Sequence, residues 1–352
     1  MDIEVVTTAG AADVARFDAI IDVRSPAEFA EDHVPGAINL PVLDNEERAE
    51  VGTLYVQQSA FLARRIGAAK VARNVARHLE TALKDKAAGF KPLVYCWRGG
   101  QRSNAMATIL SQVGWRTALL AGGYKTYRRG VQARLYDEAW PLRLVLLDGG
   151  TGSGKTAILA RLAGRGVQTL DLEALAGHRG SLFGGFAGAP QPHQKMFESR
   201  LLGVLEGLDP TRPVVVEAES SKIGDLNLPP ALWALMKDAP RVEIMAPLAE
   251  RTRYLVRAYG DIARNPQALE DAFRRLPTHP GRDRLESWRA WAASGEFETL
   301  AQALVELHYD PAYARARKKD ARPRLRTVVV ETLDEANLDA AAAEIGTCVR
   351  RL

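Results

Sequence analysis

The first half of the chain alternates short apolar runs with amphipathic ones. Residues 18–24, DAIIDVR, read as a buried strand ending in polar residues, and 26–32, PAEFAED, as a short helix. GAINLP (36–41) is a second short strand, and residues 60–84 carry a long helical period. KPLVYC (91–96) predicts a strand, 103–113 a helix and TALLAGG (117–123) a further strand. Strands that alternate with helices imply a parallel sheet covered on both faces. Pro141 marks a break, which sets two domains, 1–138 and 139–352. In the second, LRLVLLDGG (142–150), GVQTLDL (166–172), RPVVVEAE (212–219) and RVEIMAP (241–247) read as strands. The last third is helical. It includes a basic segment at 314–326, before a strand at 327–332 and a final helix. The expected class is α/β, two parallel-sheet domains in tandem with a helical C-terminal part to the second.

Composition narrows the setting. The 352 residues are 47% hydrophobic and 26% charged, which suits a globular chain of two domains. No apolar run approaches the ~20 residues that cross a bilayer, so no membrane partner is expected. The start, MDIEVVTTAG, has neither basic nor apolar signal-peptide regions. Two distant cysteines, Cys96 and Cys348, are neither a disulfide framework nor a zinc site, and a reducing cytoplasm is the expected location. A net charge of +4 is compatible with a polyanionic partner.

Cys96 changes the picture. It ends a strand and is followed by Arg98, Gly99, Gly100 and Arg102 before a helix. Loop amides and a helix N-terminus converging on one point stabilise a thiolate. Arg98 and Arg102 would add to that, or hold an oxyanion beside the sulfur. The competing reading is a buried core thiol; the glycines and arginines argue against it. The stretch IDVRSPAEFAEDHVPGAINLP, with Asp22, Arg24, Glu28, Phe29, His33, Pro35, Gly36, Ala37, Asn39 and Pro41, resembles the N-terminal signature of rhodanese domains over roughly residues 4–130. The resemblance implies a cysteine that accepts sulfur or selenium. Asp32 stands where glycine is frequent before His33. The C-x5-R loop is one residue longer than in typical sulfurtransferases and is similar to that of rhodanese-fold phosphatases, a size that could seat selenophosphate. Asp22 and Arg24 are expected as a structural ion pair.

The second domain opens on a phosphate cradle. GGTGSGKT fits G-x-x-x-x-G-K-[ST] over Gly149, Gly150, Thr151, Gly152, Ser153, Gly154, Lys155 and Thr156, between an apolar strand and the helix TAILARLAG. The amides would cradle a diphosphate, Lys155 would neutralise it and Thr156 could ligate Mg²⁺. Downstream, Glu217 and Glu219 end a buried strand where a metal- or water-orienting carboxylate would sit, or where one caps the next helix. Asp171, His178, Arg179 and Ser181 follow the second strand, where small P-loop kinases meet their acceptor.

The series CWRGGQRS, GGYKTYRR, DNEERAEVGTLY, GGTGSGKT, GHRGSLFGG, VVVEAESSKIG and HYDPAY closely resembles the tRNA 2-selenouridine synthase family over nearly the whole chain. The resemblance implies a rhodanese-like domain followed by a P-loop NTPase-like, kinase-like domain. It implies an enzyme that geranylates the wobble 2-thiouridine of tRNA with geranyl diphosphate, then replaces the geranylthio group with selenium from selenophosphate. No tightly bound cofactor is implied. Cys96 would serve selenation; Lys155, Thr156 and the loop amides would serve geranylation. Arg315, Arg317, Lys318 and Lys319, with Arg322, Arg324 and Arg326, form a basic run suited to tRNA phosphates. A second run, Arg64 to Arg77, reads equally as a solvated face. Trp97, Tyr124, Tyr127 and Tyr313 are candidates to stack a base. The main alternative is a rhodanese-type sulfurtransferase coupled to an ATP-dependent small-molecule kinase. A C-x5-R phosphatase and a regulatory module that senses an oxyanion are further ones.

Overall fold

The computed structural model describes residues 3–180, 184–185, 189–276, 280–318 and 320–352. Two compact units form, Met1–Glu138 with His193–Glu206, and Ala139–Pro192 with Gly207–Leu352. No helix among the described residues is long and apolar enough to cross a membrane.

The first unit holds β1 (Glu4–Val6), α1 (Ala11–Val14), β2 (Ala19–Asp22), α2 (Pro26–Glu31), β3 (Ala37–Asn39), α3 (Asn45–Gln57), α4 (Ala60–Glu80), β4 (Pro92–Tyr95), α5 (Gln101–Val113), β5 (Ala118–Leu120) and α6 (Tyr124–Gln132). Its strands form one parallel sheet in the order β1-β5-β4-β2-β3. All four residues of the central β4 are buried, as a strand covered on both faces requires. Val94, Met106, Leu110, Val71 and Val75 share one core with Cys96. As expected, Asp22 and Arg24 form a buried ion pair at 2.6 Å, and Arg24 also donates to the Asp32 carbonyl at the end of α2.

The second unit contributes β6 (Leu144–Gly149), α7 (Lys155–Gly164), β7 (Gln168–Leu170) and α8 (Leu172–Ala176). The next helix, α9 (Gln194–Glu206), belongs to the first unit, although the sequence division at 138 assigns it to the second. There Glu198, 1% exposed, accepts from Arg128 and, at 2.7 Å, from the Tyr136 hydroxyl. The second unit resumes with β8 (Val214–Glu217), the small hairpin β9 (Lys222–Ile223) and β10 (Leu226–Asn227), α10 (Pro230–Asp238), β11 (Arg241–Met245), α11 (Leu248–Ala258), α12 (Gly260–Ala263), α13 (Pro266–Arg274), α14 (Arg282–Ser294), α15 (Phe297–Leu304), α16 (Asp310–Arg317), β12 (Arg324–Val329) and α17 (Glu335–Val349). Its parallel sheet runs β12-β11-β6-β8-β7. Ile158, Leu159 and Leu162 of α7 and Leu338, Ala342 and Ile345 of α17 join the sheet's core. Helices α13 to α15 build a separate core around Phe273, Trp288, Leu300 and Leu304. The last strand begins at Arg324 rather than 327, because it is an edge strand and tolerates exposed arginines.

Candidate functional site

Each unit carries one loop that joins the end of a central strand to a helix N-terminus. In the first, Cys96 directly follows β4, and α5 starts at Gln101. The sulfur accepts from the Gly100 amide at 3.3 Å and from the Ser103 hydroxyl at 3.2 Å. A second loop holds this one in place: the Tyr124 amide donates to the Cys96 carbonyl at 2.8 Å and the Lys125 amide to that of Trp97 at 3.1 Å. That contact needs glycine at 123. Its φ is +58°, and a Cβ there would lie 2.2 Å from the Cys96 carbonyl oxygen.

Two expectations about this loop are corrected. Cys96 is only 3% exposed and packs with the core, because β4 carries it inward. Arg102 does not reinforce the sulfur. Its guanidinium makes two hydrogen bonds to the Glu28 carboxylate, at 2.6 and 3.2 Å. Burial alone would raise the Glu28 carboxyl, but the Arg102 contact outweighs it and holds the group below its usual range. Arg98 is exposed. Tyr124 and Tyr127 are buried, and the Tyr124 hydroxyl donates to Asp32 at 2.7 Å; Trp97 stacks on Tyr124.

In the second unit, the turn from Gly149 to Thr156 follows β6 at the middle of the sheet. Gly152 has φ +82°, and a Cβ there would lie 2.8 Å from both the Arg251 carbonyl oxygen and Leu255 Cγ, so the loop lies directly on α11. Lys155 Nζ donates to the Gly149 carbonyl at 2.9 Å, a folded position over the loop. Ser153 is buried, and the Thr156 hydroxyl donates to Glu173 at 3.0 Å. A cleft of about 430 Å³ opens here, lined by the loop and by Glu173, His178, Arg179, Glu219, Tyr254, Leu255, Tyr259 and Tyr313.

The carboxylates divide by role. Asp171 caps α8 by accepting from the Ala174 amide at 2.8 Å. Glu217 is fully buried and accepts from the Leu172 amide at 3.2 Å, while its Oε1 has no partner among the described residues. Burial, then the charge of Glu173, raises the Glu217 carboxyl. Burial, then the charge of Glu219, pushes Glu173 up to about 8. His178 is buried, and that burial lowers its pKa. Arg179 stacks over the Tyr259 ring at 5.0 Å. Ser181 and Lys319 lie outside the described residues.

The basic run does not stay together as a surface. The Tyr313 hydroxyl donates to Asp148 beneath the phosphate loop at 3.0 Å, and Arg317 pairs with Glu243 at 2.9 Å. Arg322 pairs with Asp320, Arg324 with Glu243 and Arg326 with Glu344. Arg315 and Lys318 remain exposed.

Comparison with known proteins fits both loops. A model of rhodanese-like domains matches residues 8–129, and one described as the tRNA 2-selenouridine synthase AAA domain matches 142–275. A tRNA 2-selenouridine synthase of Hahella chejuensis is 33% identical over 335 residues, 86% of this chain and 86% of that protein. The chain belongs to the tRNA 2-selenouridine synthase family. A relative of that name from Nitrosomonas europaea is 37% identical over 244 residues, 68% of this chain, and the match spans 63% of that protein's length. One from Salmonella newport is 38% identical over 264 residues, 69% and 70% of the two chains.

Three side chains at these family loops were missed by sequence reasoning. Glu173, the partner of Thr156, sits two residues after Asp171, but nothing in the pattern sets it above its neighbours. Glu28 is visible in the rhodanese signature but not as the partner of Arg102. Arg251 donates to the Thr151 carbonyl at 2.9 Å and pairs with Asp310 at 2.6 Å. It lies a hundred residues from the loop it braces, and no local signal marks it.

Proposed function

We propose that this protein converts 2-thiouridine at the tRNA wobble position to 2-selenouridine in two steps, one at each loop. The observation that carries the reading is the pair of strand-to-helix loops in one chain of this family, one built around a thiol and one around a lysine.

In the first step the thiocarbonyl sulfur attacks C1 of geranyl diphosphate. A C–S bond forms, the C–O bond breaks, diphosphate leaves and the uridine N3 proton is released. The leaving group gathers negative charge, and a preorganised cradle of amides and Lys155 stabilises it. Lys155, now on the Gly149 carbonyl, would turn to the diphosphate when it arrives. Thr156 and Glu173, joined by a hydrogen bond, suit a Mg²⁺ ion, which would supply further neutralisation of the diphosphate. Among the described residues no group of three or more His, Cys, Asp or Glu side chains is placed to hold an ion unaided.

Alkylation turns a poor leaving sulfur into a thiolate that can depart. In the second step the selenium of selenophosphate attacks C2: a C–Se bond forms, the C–S bond breaks and geranylthiolate leaves, and water then cleaves the Se–P bond to release phosphate. Delivery is assigned to the Cys96 loop, whose Gly100 amide and Ser103 hydroxyl already bond the sulfur. This reading sets the enzyme in the cytoplasm with tRNA and a selenophosphate supply.

Mass spectrometry of tRNA nucleosides after incubation with both substrates tests it. Cys96→Ser should leave geranylated nucleoside accumulating without selenouridine; normal selenouridine would remove Cys96 from the mechanism. Lys155→Ala should slow geranylation by ~10²–10³, as for other lost oxyanion contacts. Unchanged transfer would give the phosphate loop to another ligand.

A further inference from the structure

Beside the phosphate cleft lies a second cavity of about 80 Å³. It shares Thr151, Leu255 and Tyr259 with the cleft. Its other walls come from α12, α13 and α15, including Leu269, Leu300 and Leu304. Apart from Thr151, Tyr259 and Tyr309, the lining side chains are hydrocarbon. A water needs roughly 10–15 Å³ of such space and two to four polar partners. This cavity has room for several, yet its walls offer few hydrogen bonds, so water gains little there. A nucleobase would leave its own donors and acceptors unpaired against those walls. An unbranched or isoprenoid chain would not.

Geometry ties this space to the loop. Leu255 packs against Gly152 so closely that a Cβ there would meet Leu255 Cγ at 2.8 Å. One side chain therefore faces the phosphate turn and the hydrocarbon cavity together. We infer that the cavity between α11, α12 and α15 is a tail pocket, which takes the apolar chain of a diphosphate ester whose head lies on the phosphate loop. The inference rests on the reading of that loop as a diphosphate cradle. It makes α12 and α15 the elements that measure chain length.

The test is calorimetric titration of the full chain with inorganic diphosphate, dimethylallyl diphosphate and geranyl diphosphate. Each buried methylene contributes about 0.8 kcal/mol, so the parent should favour the ten-carbon ester over the five-carbon one by on the order of 100-fold or more. Ala301→Phe, which fills the cavity from α15, should shrink that preference to about tenfold or less and leave inorganic diphosphate binding unchanged, an internal check on folding. Ala263→Leu fills it from α12 and carries the test if Ala301→Phe fails to fold. A preference that persists undiminished in both variants, or one missing from the parent, overturns the pocket. Lys155→Ala separates the two claims. Loss of inorganic diphosphate binding supports the cradle whatever the tail does. Parent-like binding of inorganic diphosphate sinks the cradle, even if filling the cavity still alters chain preference.

Discussion

Glu173 shows how much of a phosphate site is decided by one side chain. Burial and the neighbouring Glu219 push its carboxyl up to about 8, while an unfolded glutamate titrates near 4.3. The folded state therefore holds this proton more tightly than the unfolded one. The stability it contributes is complete below about pH 4 and is lost as the pH rises through about 8. In the absence of ligand, the melting temperature should fall between pH 6 and 9, and Glu173→Gln, which keeps its proton, should flatten that fall. A difference of at least about 1 kcal/mol at pH 9, ~2–4 °C for a domain of this size, is expected by scanning calorimetry. Parallel pH curves for parent and variant would mean that Glu173 is ionised throughout. Residue-level chemistry was only half legible in the sequence. The phosphate motif announces Lys155 and Thr156 because their spacing is local. The sequence also shows Arg102 beside Cys96, but its charge is spent on Glu28, 74 positions away. A pairing across that distance leaves no periodic trace.

At the level of elements, the strands that carry the loops were the easiest to read. KPLVYC carries the apolar run PLVYC and LRLVLLDGG the run LVLL, and the structure buries all of β4 and β6. Where reasoning fell short, amphipathic context was the cause. The pattern supports a helix at α9 but cannot say which core it joins; the buried Glu198 settles that, by pairing with Arg128 of α6. The helix α3 went unread because none of its residues is buried, which leaves no apolar stripe to find. Two glycine-bearing turns lock the Cys96 loop onto the start of α6, and GGYKTYRR was legible as a motif without its reason. The reason is the close approach at Gly123.

Across the whole molecule, 47 basic and 43 acidic residues nearly cancel. Any attraction to a polyanion must therefore come from cations that the fold leaves unpaired. The segment from 315 to 326 reads as seven such charges. In the structure Arg317, Arg322, Arg324 and Arg326 are drawn into ion pairs with Glu243, Asp320 and Glu344. Those pairs tie β12 and the segment before it to β11 and α17, so removing them would damage the fold and confuse any binding test. Arg315 and Lys318 are exposed, and they are the informative pair. Replacing both with glutamine should weaken tRNA binding and leave the melting temperature unchanged. Each lost phosphate contact should make the slope of log affinity against log salt shallower by about 0.7 to 0.9. Filter binding over a salt series would show a combined change of about 1.4 to 1.8 if both side chains touch phosphates. Turnover at saturating tRNA should stay at the parent level, because neither residue lines the phosphate cleft. An unchanged slope and affinity would return Arg315 and Lys318 to a solvated surface face, and leave tRNA to be held elsewhere.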